Sequence, residues 1–463
     1  MKILLVRPPR IKQAITLSDF MFAEPLGLEM IYGQLEARYT VEIFDMMVEK
    51  EGLTSKMAKY LPDVVGITSL CIDVNTLLNL CGEAKAFNPE ITTMVGGTQA
   101  FLSAMSFADD SVDYIFEFVD ETNLLKLFAI LEFAKGDQQE TEEEIALIQG
   151  IRTRFKGFAS NGIKGRNKYL LPNRESTARY RRKYSYFGYK PAAIMEFGTG
   201  CAKGCEFCLR WRIEGSEEIL IDRDLIRKDL ESIKEPTIML VDNDFFASEH
   251  KIRTFFGLVR ELKLKKNFIV YASVKGILSY EPFVKEFKEL GLKAVLVGYE
   301  SFNDAELSDY RKKSDTNDNL KAARMLERIG IDVWASFIAH PDWSKEDFKK
   351  LRKTVSQLKP QISSINPLTP FPTLPLYDKY KDRLLYASDD YKSWSFGQVM
   401  IRPSKLSLRG YYYELLLTNM YVNLVVNRES EMLKRYGLRR ILGMAVGSTR
   451  TLLKYCRLMI NAR

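Results

Sequence analysis

A strand–helix alternation runs twice along this chain, and it constrains the fold more than any other feature. In the first series, residues 2–7, 41–45, 64–69, 93–97 and 114–118 read as short apolar strands. Helical patterns near 27–37, 51–60, 73–86, 99–107 and 121–135 separate them. The second series begins at Ala192, with candidate strands at 193–197, 238–241, 268–272, 294–299, 333–338 and 362–366. Such alternation predicts an α/β protein with parallel sheets flanked by helices. Folds of that kind keep their ligands at the carboxyl ends of the strands. The punctuation agrees: Ser344 with Asp347 forms a capping box, and Gly330 ends the helix before it.

The densest chemistry lies in one loop. Cys201, Cys205 and Cys208 stand in C-x3-C-x2-C spacing just past the first strand of the second series. Gly198-Thr199-Gly200 closes that strand and lets backbone come close to something bulky. Iron–sulfur clusters use thiolate ligands and normally take four. Three thiols leave one iron open for a substrate or cofactor. A structural zinc site and three unrelated core thiols are the alternatives. Zinc would lack an evident fourth ligand, because the only histidines are His250 and His340. Six cysteines with three in one loop are no disulfide framework, so the expected setting is reducing and cytosolic. Cys71, Cys81 and Cys456 read as buried or incidental.

The cysteine spacing, with Phe207 directly before the last thiol, resembles the radical SAM superfamily. The resemblance implies a 4Fe-4S cluster held by Cys201, Cys205 and Cys208. Its open iron would take the amino and carboxylate groups of S-adenosylmethionine, and one electron would release a 5′-deoxyadenosyl radical. The resemblance also implies an open (β/α)6 partial barrel with a lateral mouth. Asp244, in Val241-Asp242-Asn243-Asp244-Phe245, would lie near the methionyl amino group, and Ser273 near the ribose or carboxylate. Gly298-Tyr299-Glu300-Ser301 is similar to the family's Gly-x-Glu-Ser, which gives Glu300 a place on the cofactor. A helix N-cap or a surface charge is the plain alternative for these acids, and it suits Asp242 better than Glu300. Pro370-Phe371-Pro372-Thr373 is similar to the barrel's closing turn but lacks the usual glycine.

The first series resembles the Rossmann-like cobalamin-binding domain that precedes the barrel in one large (class B) branch of that superfamily. Arg7-Pro8-Pro9, Pro25-Leu26-Gly27-Leu28-Glu29, Phe44-Asp45, Thr68-Ser69-Leu70 and Val95-Gly96-Gly97-Thr98 carry the likeness. It implies cobalamin contacts at Pro8, Pro9, Asp45, Ser69, Leu70, Gly96, Gly97 and Thr98. Two features depart from the pattern. No D-x-H-x-x-G signature supplies a histidine to cobalt, since Asp45 is followed by Met46-Met47-Val48; this branch commonly lacks that histidine. Glu117-Phe118-Val119-Asp120-Glu121 stands where a Gly-Glu-Gly-Glu turn is usual. A Rossmann-like domain that binds nothing is the alternative.

These features divide the chain into a cobalamin-binding domain over 1–135, a basic linker over 136–190, a radical SAM partial barrel over 191–399 and a helical C-terminal domain over 400–463. The linker interleaves tyrosine with base in Arg179-Tyr180-Arg181-Arg182-Lys183-Tyr184-Ser185-Tyr186. It reads as an interdomain connection, with an RNA grip as the alternative. The net charge of +8 is modest for 463 residues, and no acid follows Glu431. Residues 411–426, rich in aromatics and leucine, would pack over the barrel mouth. The last helix places Leu452, Cys456, Met459 and Ile460 on one face and Arg450, Lys454 and Arg457 on another. That suits either a capping helix or peripheral contact with an anionic membrane. No signal peptide or bilayer-spanning run is evident.

The function expected is cobalamin-dependent radical SAM methylation of an unactivated carbon. Ile401-Arg402-Pro403 through Tyr411, with the basic tail, resembles hopanoid C-3 methylases and similar lipid-modifying members, implying an apolar or lipid substrate. No Ser/His/Asp or Cys/His constellation is evident. The expected partners are a small molecule, an electron donor such as flavodoxin or ferredoxin, and no nucleic acid. The expected location is the cytoplasm, with peripheral contact at the inner membrane face as one of the two readings of the last helix. Ring formation, rearrangement or oxygen insertion with the same cofactors is one alternative. A structural metal-binding RNA- or membrane-binding protein is another.

Overall fold

Six strands of the amino-terminal half form one sheet: Lys2–Arg7 (β1), Thr40–Asp45 (β2), Val64–Ser69 (β3), Thr92–Gly97 (β4), Tyr114–Phe116 (β5) and Ile151–Thr153 (β6). The computed structural model describes residues 1–11, 21–133, 138–160, 162, 165–186, 188–426 and 438–462. The end of the helical pattern read near 121–135 lies outside them. The strand order is β2-β1-β3-β4-β5-β6, parallel except for β6. Order reverses between β1 and β3, and a doubly wound sheet opens a crevice at such a point. Leu4, Val6, Val65, Ile67 and Val95 bury one face of the sheet. Ile3, Leu5, Val64 and Met94 bury the other. The alternation along each strand therefore fills two helical layers.

The second sheet contains Ala192–Met195 (β7), Thr237–Leu240 (β8), Asn267–Ala272 (β9), Leu292–Glu300 (β10), Asp332–Ala339 (β11) and Ile362–Pro367 (β12). All are parallel and lie side by side in chain order, so six strand–helix units make an open partial barrel. The outer helices bury a phenylalanine cluster, with Phe255 and Phe287 at its centre. The inward residues Met239, Ile269, Ala294 and Trp334 pack against Tyr186 and Tyr189 from the linker. Ser344 and Asp347 form the reciprocal capping box, and Gly330 takes the left-handed C-cap, as the sequence predicts.

The open edge at β12 is covered by side chains. Asn419 Nδ2 donates to the Ile365 carbonyl at 3.1 Å, and the Ile365 amide donates to Asn419 Oδ1 at 3.3 Å. Asn423 does the same for Ser363, at 2.9 and 3.0 Å. Two asparagines one turn apart thus stand in for a seventh strand and blunt an otherwise exposed edge. They lie on the helix Leu408–Met420 and the turn after it.

The two sheets are tied together through the linker. Arg174 Nε and Nη2 donate to the two carboxylate oxygens of Asp229, at 2.8 and 2.7 Å. Its Nη1 pairs with Glu24 and lies 3.4 Å from Glu29. Arg181 reaches Glu24, Glu29 and Glu235. Glu24 Oε1 also accepts the amide of Ile194, inside β7. The tyrosines point inward as well: Tyr180 donates to Glu49 and Tyr184 to Asp45, while the Tyr186 and Tyr271 hydroxyls meet at 2.6 Å. Residues 174–186 thus bond to elements of both sheets.

Candidate active site

The thiol loop leaves the carboxyl end of β7 and folds back on itself. Cys201 N donates to the Gly215 carbonyl at 2.8 Å, and Cys208 N to the Cys205 carbonyl at 3.1 Å. Trp211 Nε1 donates to the same Cys205 carbonyl at 3.0 Å. Gly200, at φ +87°, makes the sharp entry; a side chain there would meet the Glu217 carbonyl. All three thiols are free, and Cys205 is buried. Burial pushes the Cys208 thiol up to about 11, so a metal would have to displace its proton. Cys201 and Cys205 both act electrostatically on the Cys208 thiol, so the three lie together, and thiolate is the ligand that iron–sulfur clusters use. The donor set fits a cluster.

Asp244, Ser273 and Glu300 stand at the ends of β8, β9 and β10, the same end as the thiol loop. Asp244 accepts the Ser273 amide at 3.0 Å and its hydroxyl at 2.8 Å, and it pairs with Lys203 of the thiol loop. Glu300 pairs with Lys312 at 3.2 Å. Lys312 lies 6.0 Å from the centre of the Phe207 ring, which meets Tyr310 edge-on at 5.5 Å. Thus Asp244 and Ser273 form one group, and Phe207 and Glu300 another. Asp242 is structural: its carboxylate accepts the Phe197 amide at 2.8 Å and pairs with Lys251 at 2.7 Å.

A cavity of about 430 Å³ opens at the crevice of the first sheet. Pro8, Ser69, Leu70, Gly96, Gly97 and Thr98 line it, and so does Glu196 from the end of β7. The space is therefore shared by the two α/β units. Gly97, at φ +101°, lies flush against Ser69; a Cβ would come within 2.8 Å of the Ser69 amide and carbonyl. A backbone this bare beside a crevice fits a large flat ligand such as a corrin. Val119, from the segment replacing the usual Gly-Glu-Gly-Glu turn, also lines the cavity, while Glu117 is tied to Arg152 at 2.6 Å.

Asp45 and Pro9 do not line this cavity. Asp45 is fully buried, held by Arg7 at 3.3 Å, by the Tyr184 hydroxyl at 3.0 Å and by the Met47 amide at 3.0 Å. Three protein partners thus hold this carboxylate in place. Pro9 is likewise absent from the lining, where its neighbours Pro8 and Arg10 appear.

The sequence left four residues at this site unread. Lys203 lies between two of the thiols and Lys312 in the basic run Arg311-Lys312-Lys313, and each neutralises one of the acids. Arg210 follows the last thiol and gathers Glu214 at 2.7 Å, Asn243 at 2.6 Å and Glu196 at 3.8 Å. Burial, with the nearby Glu214 charge, raises the Glu196 carboxyl to about 7. An acid directly following an apolar strand was the available signal for Glu196.

Residues 195–355 match the model of the radical SAM superfamily, and residues 14–123 that of the B12 binding domain. The chain is 28% identical over 412 residues to the hopanoid C-3 methylase of Methylococcus capsulatus, covering 86% of this chain and 76% of that protein. Among solved structures, the radical S-adenosylmethionine methyltransferase TsrM from Kitasatospora setae, with cobalamin and a 4Fe-4S cluster bound, superimposes with a TM-score of 0.68 at 14% identity. That match covers 92% of this chain and 90% of TsrM. The cobalamin-dependent S-adenosylmethionine radical enzyme OxsB gives 0.67 at 13% identity, over 98% and 80%.

Proposed function

Because this chain belongs to the cobalamin-dependent radical SAM enzymes, we propose that it methylates an unactivated carbon of an apolar, lipid- or isoprenoid-like small molecule. The observation that carries the proposal is the shared cavity, in which the crevice of the first sheet meets the mouth of the barrel at Glu196. When bound, the cluster and S-adenosylmethionine supply a 5′-deoxyadenosyl radical, and cobalamin supplies the methyl group.

The chain's own residues bind and orient. Cys201, Cys205 and Cys208 would hold the cluster. Asp244 and Glu300 would take the methionyl ammonium side of S-adenosylmethionine, and Lys203 and Lys312 would balance its carboxylate. Ser273 would fix Asp244, and Phe207 would shield the cluster from water. Pro8, Ser69, Leu70, Gly96, Gly97 and Thr98 would seat the corrin, with Asp45 bracing Arg7 behind them. Methyl transfer to a carbon radical needs no general base, in keeping with the absence of a nucleophile–base pair among the lining residues.

The hopanoid methylase relative, together with the aromatic helix Leu408–Met420 beside the barrel, supports an apolar substrate. The one-electron donor would be external, a flavodoxin or ferredoxin. We place the enzyme in the cytoplasm, working at the inner membrane face, with no nucleic-acid partner. Protein purified without oxygen and supplied with iron, sulfide and cobalamin should convert S-adenosylmethionine to both 5′-deoxyadenosine and S-adenosylhomocysteine. Lipid extracts from cells with and without the gene should differ by a methylated species. 5′-Deoxyadenosine alone would replace methyl transfer with rearrangement, ring closure or oxygen insertion.

A further inference from the structure

The carboxyl-terminal helix Leu438–Asn461 has two apolar faces, and among the described residues only one is covered. On the covered face Tyr455 is buried and meets Tyr412 at 6.3 Å, with Leu458 and Met459 packed on the barrel core. Arg409 donates to the Met459 carbonyl at 3.1 Å, so this helix runs antiparallel to Leu408–Met420. On the far side Leu438, Leu442, Val446, Leu453 and Ile460 are 53–68% exposed. Their spacings of four, four, seven and seven residues place them in one stripe. A helix with a single buried face would carry polar residues there. At about 1.5 Å per residue the stripe is roughly 33 Å long.

Charge says what covers it. Arg450 and Arg457 are exposed, and each follows a stripe residue by one turn, which sets them along its edge. No acid occurs between 432 and 463. A second copy docked here would bring two arginine rows together with no acid on the helix to pair them. The neighbouring helix and the turn after it add exposed Tyr413, Leu417, Tyr421 and Leu424, and tyrosine favours the water–lipid boundary. No helix among the described residues is long and apolar enough to cross a membrane.

We propose that these two helices lie in the plane of an anionic phospholipid bilayer, with the leucine stripe at the acyl boundary and Arg450 and Arg457 on the phosphates. Asn419 and Asn423 fix the same pair to the open edge of the partial barrel. Docking would therefore set the lateral mouth against the lipid. This deepens the apolar-substrate proposal and rests on it only for its purpose, since binding is measured without turnover.

The test is co-sedimentation of the full-length protein with vesicles of phosphatidylcholine containing phosphatidylglycerol, against phosphatidylcholine alone. Wild type should sediment with the anionic vesicles, and less so as salt rises. Leu442→Asp with Leu453→Asp, both at exposed positions, should weaken binding at least about tenfold. Arg450→Glu with Arg457→Glu should abolish the anionic preference while melting at the wild-type temperature. A wild type that stays in the supernatant, or binding that neither variant changes, overturns the proposal. So does a wild-type dimer that Leu442→Asp makes monomeric, which would assign the stripe to a second copy. Protein that forms both S-adenosylmethionine products yet ignores vesicles would sink the docking alone. Vesicle binding without methyl transfer would sink the function alone.

Discussion

Lys312 Nζ lies 3.2 Å from Glu300 Oε1, with side chains only 11 and 9% exposed. Glu300 holds a positive φ of 63°, and β10 bulges between Gly298 and Glu300. A non-glycine residue in that conformation costs about 1–3 kcal/mol, so its neighbours must hold it there. The carboxylate is thereby aimed at the Phe207 side of the thiol loop before any cofactor arrives.

Glu300→Gln keeps the shape and removes the charge. Affinity for S-adenosylmethionine should fall about tenfold or more, the worth of a charge-assisted hydrogen bond. Equilibrium binding to the reconstituted protein measures it, with the iron absorbance unchanged as the control. Unchanged affinity would leave Glu300 as no more than the partner of Lys312.

Arg174 is the fully buried hub between the two sheets. Arg174→Met leaves Glu24, Glu29 and Asp229 facing each other without their main cation. Breaking a buried pair from one side costs about 3–5 kcal/mol. Denaturant unfolding should show that loss, and protease should cut the linker sooner. A variant as stable as wild type would mean that Arg181 alone suffices.

Glu196 gives stability a defined pH dependence. Its folded carboxyl sits near 7 against an ordinary 4.5. The folded state therefore holds the proton more tightly, and the stability this brings is fully present below about 4.5 and lost as pH rises toward 7. Glu196→Gln carries no such loss. The stability of the variant relative to wild type should climb between pH 4.5 and 7 and then level off. A flat difference across that range would contradict the burial of this acid.

Gly97→Ala tests the crevice. The added methyl would press on the Ser69 backbone at a φ that favours glycine. Cobalamin retention, read from the visible spectrum after desalting, should drop sharply. The iron content, held by the other sheet, should stay the same.

Much of the fold was legible because both series repeat one unit. Each strand of the two parallel sheets that the sequence marks appears within about two residues of its expected limits, the usual uncertainty of such boundaries. The strand Ile151–Thr153 was not legible: three residues of edge strand carry no periodicity, and only pairing with Tyr114–Phe116 creates it. At the site, the cysteine spacing and the glycine pair were readable because each imposes local backbone geometry. Lys203, Lys312 and Arg210 were not, because the acid that each one pairs with lies far away in sequence or on another turn, and only the fold brings the two together. For Asp45 the strand-end position was legible, but the bond from the linker's Tyr184 was not, because the two lie 139 residues apart in the chain.

The central claim is that Cys201, Cys205 and Cys208 hold a cluster with one iron open to S-adenosylmethionine. Electron paramagnetic resonance of the dithionite-reduced, anaerobically reconstituted protein tests it most directly. The account predicts a 4Fe-4S signal that changes shape when S-adenosylmethionine is added and disappears in Cys205→Ala. A reduced cluster whose signal ignores S-adenosylmethionine, or a wild type with no cluster signal at all, would contradict it.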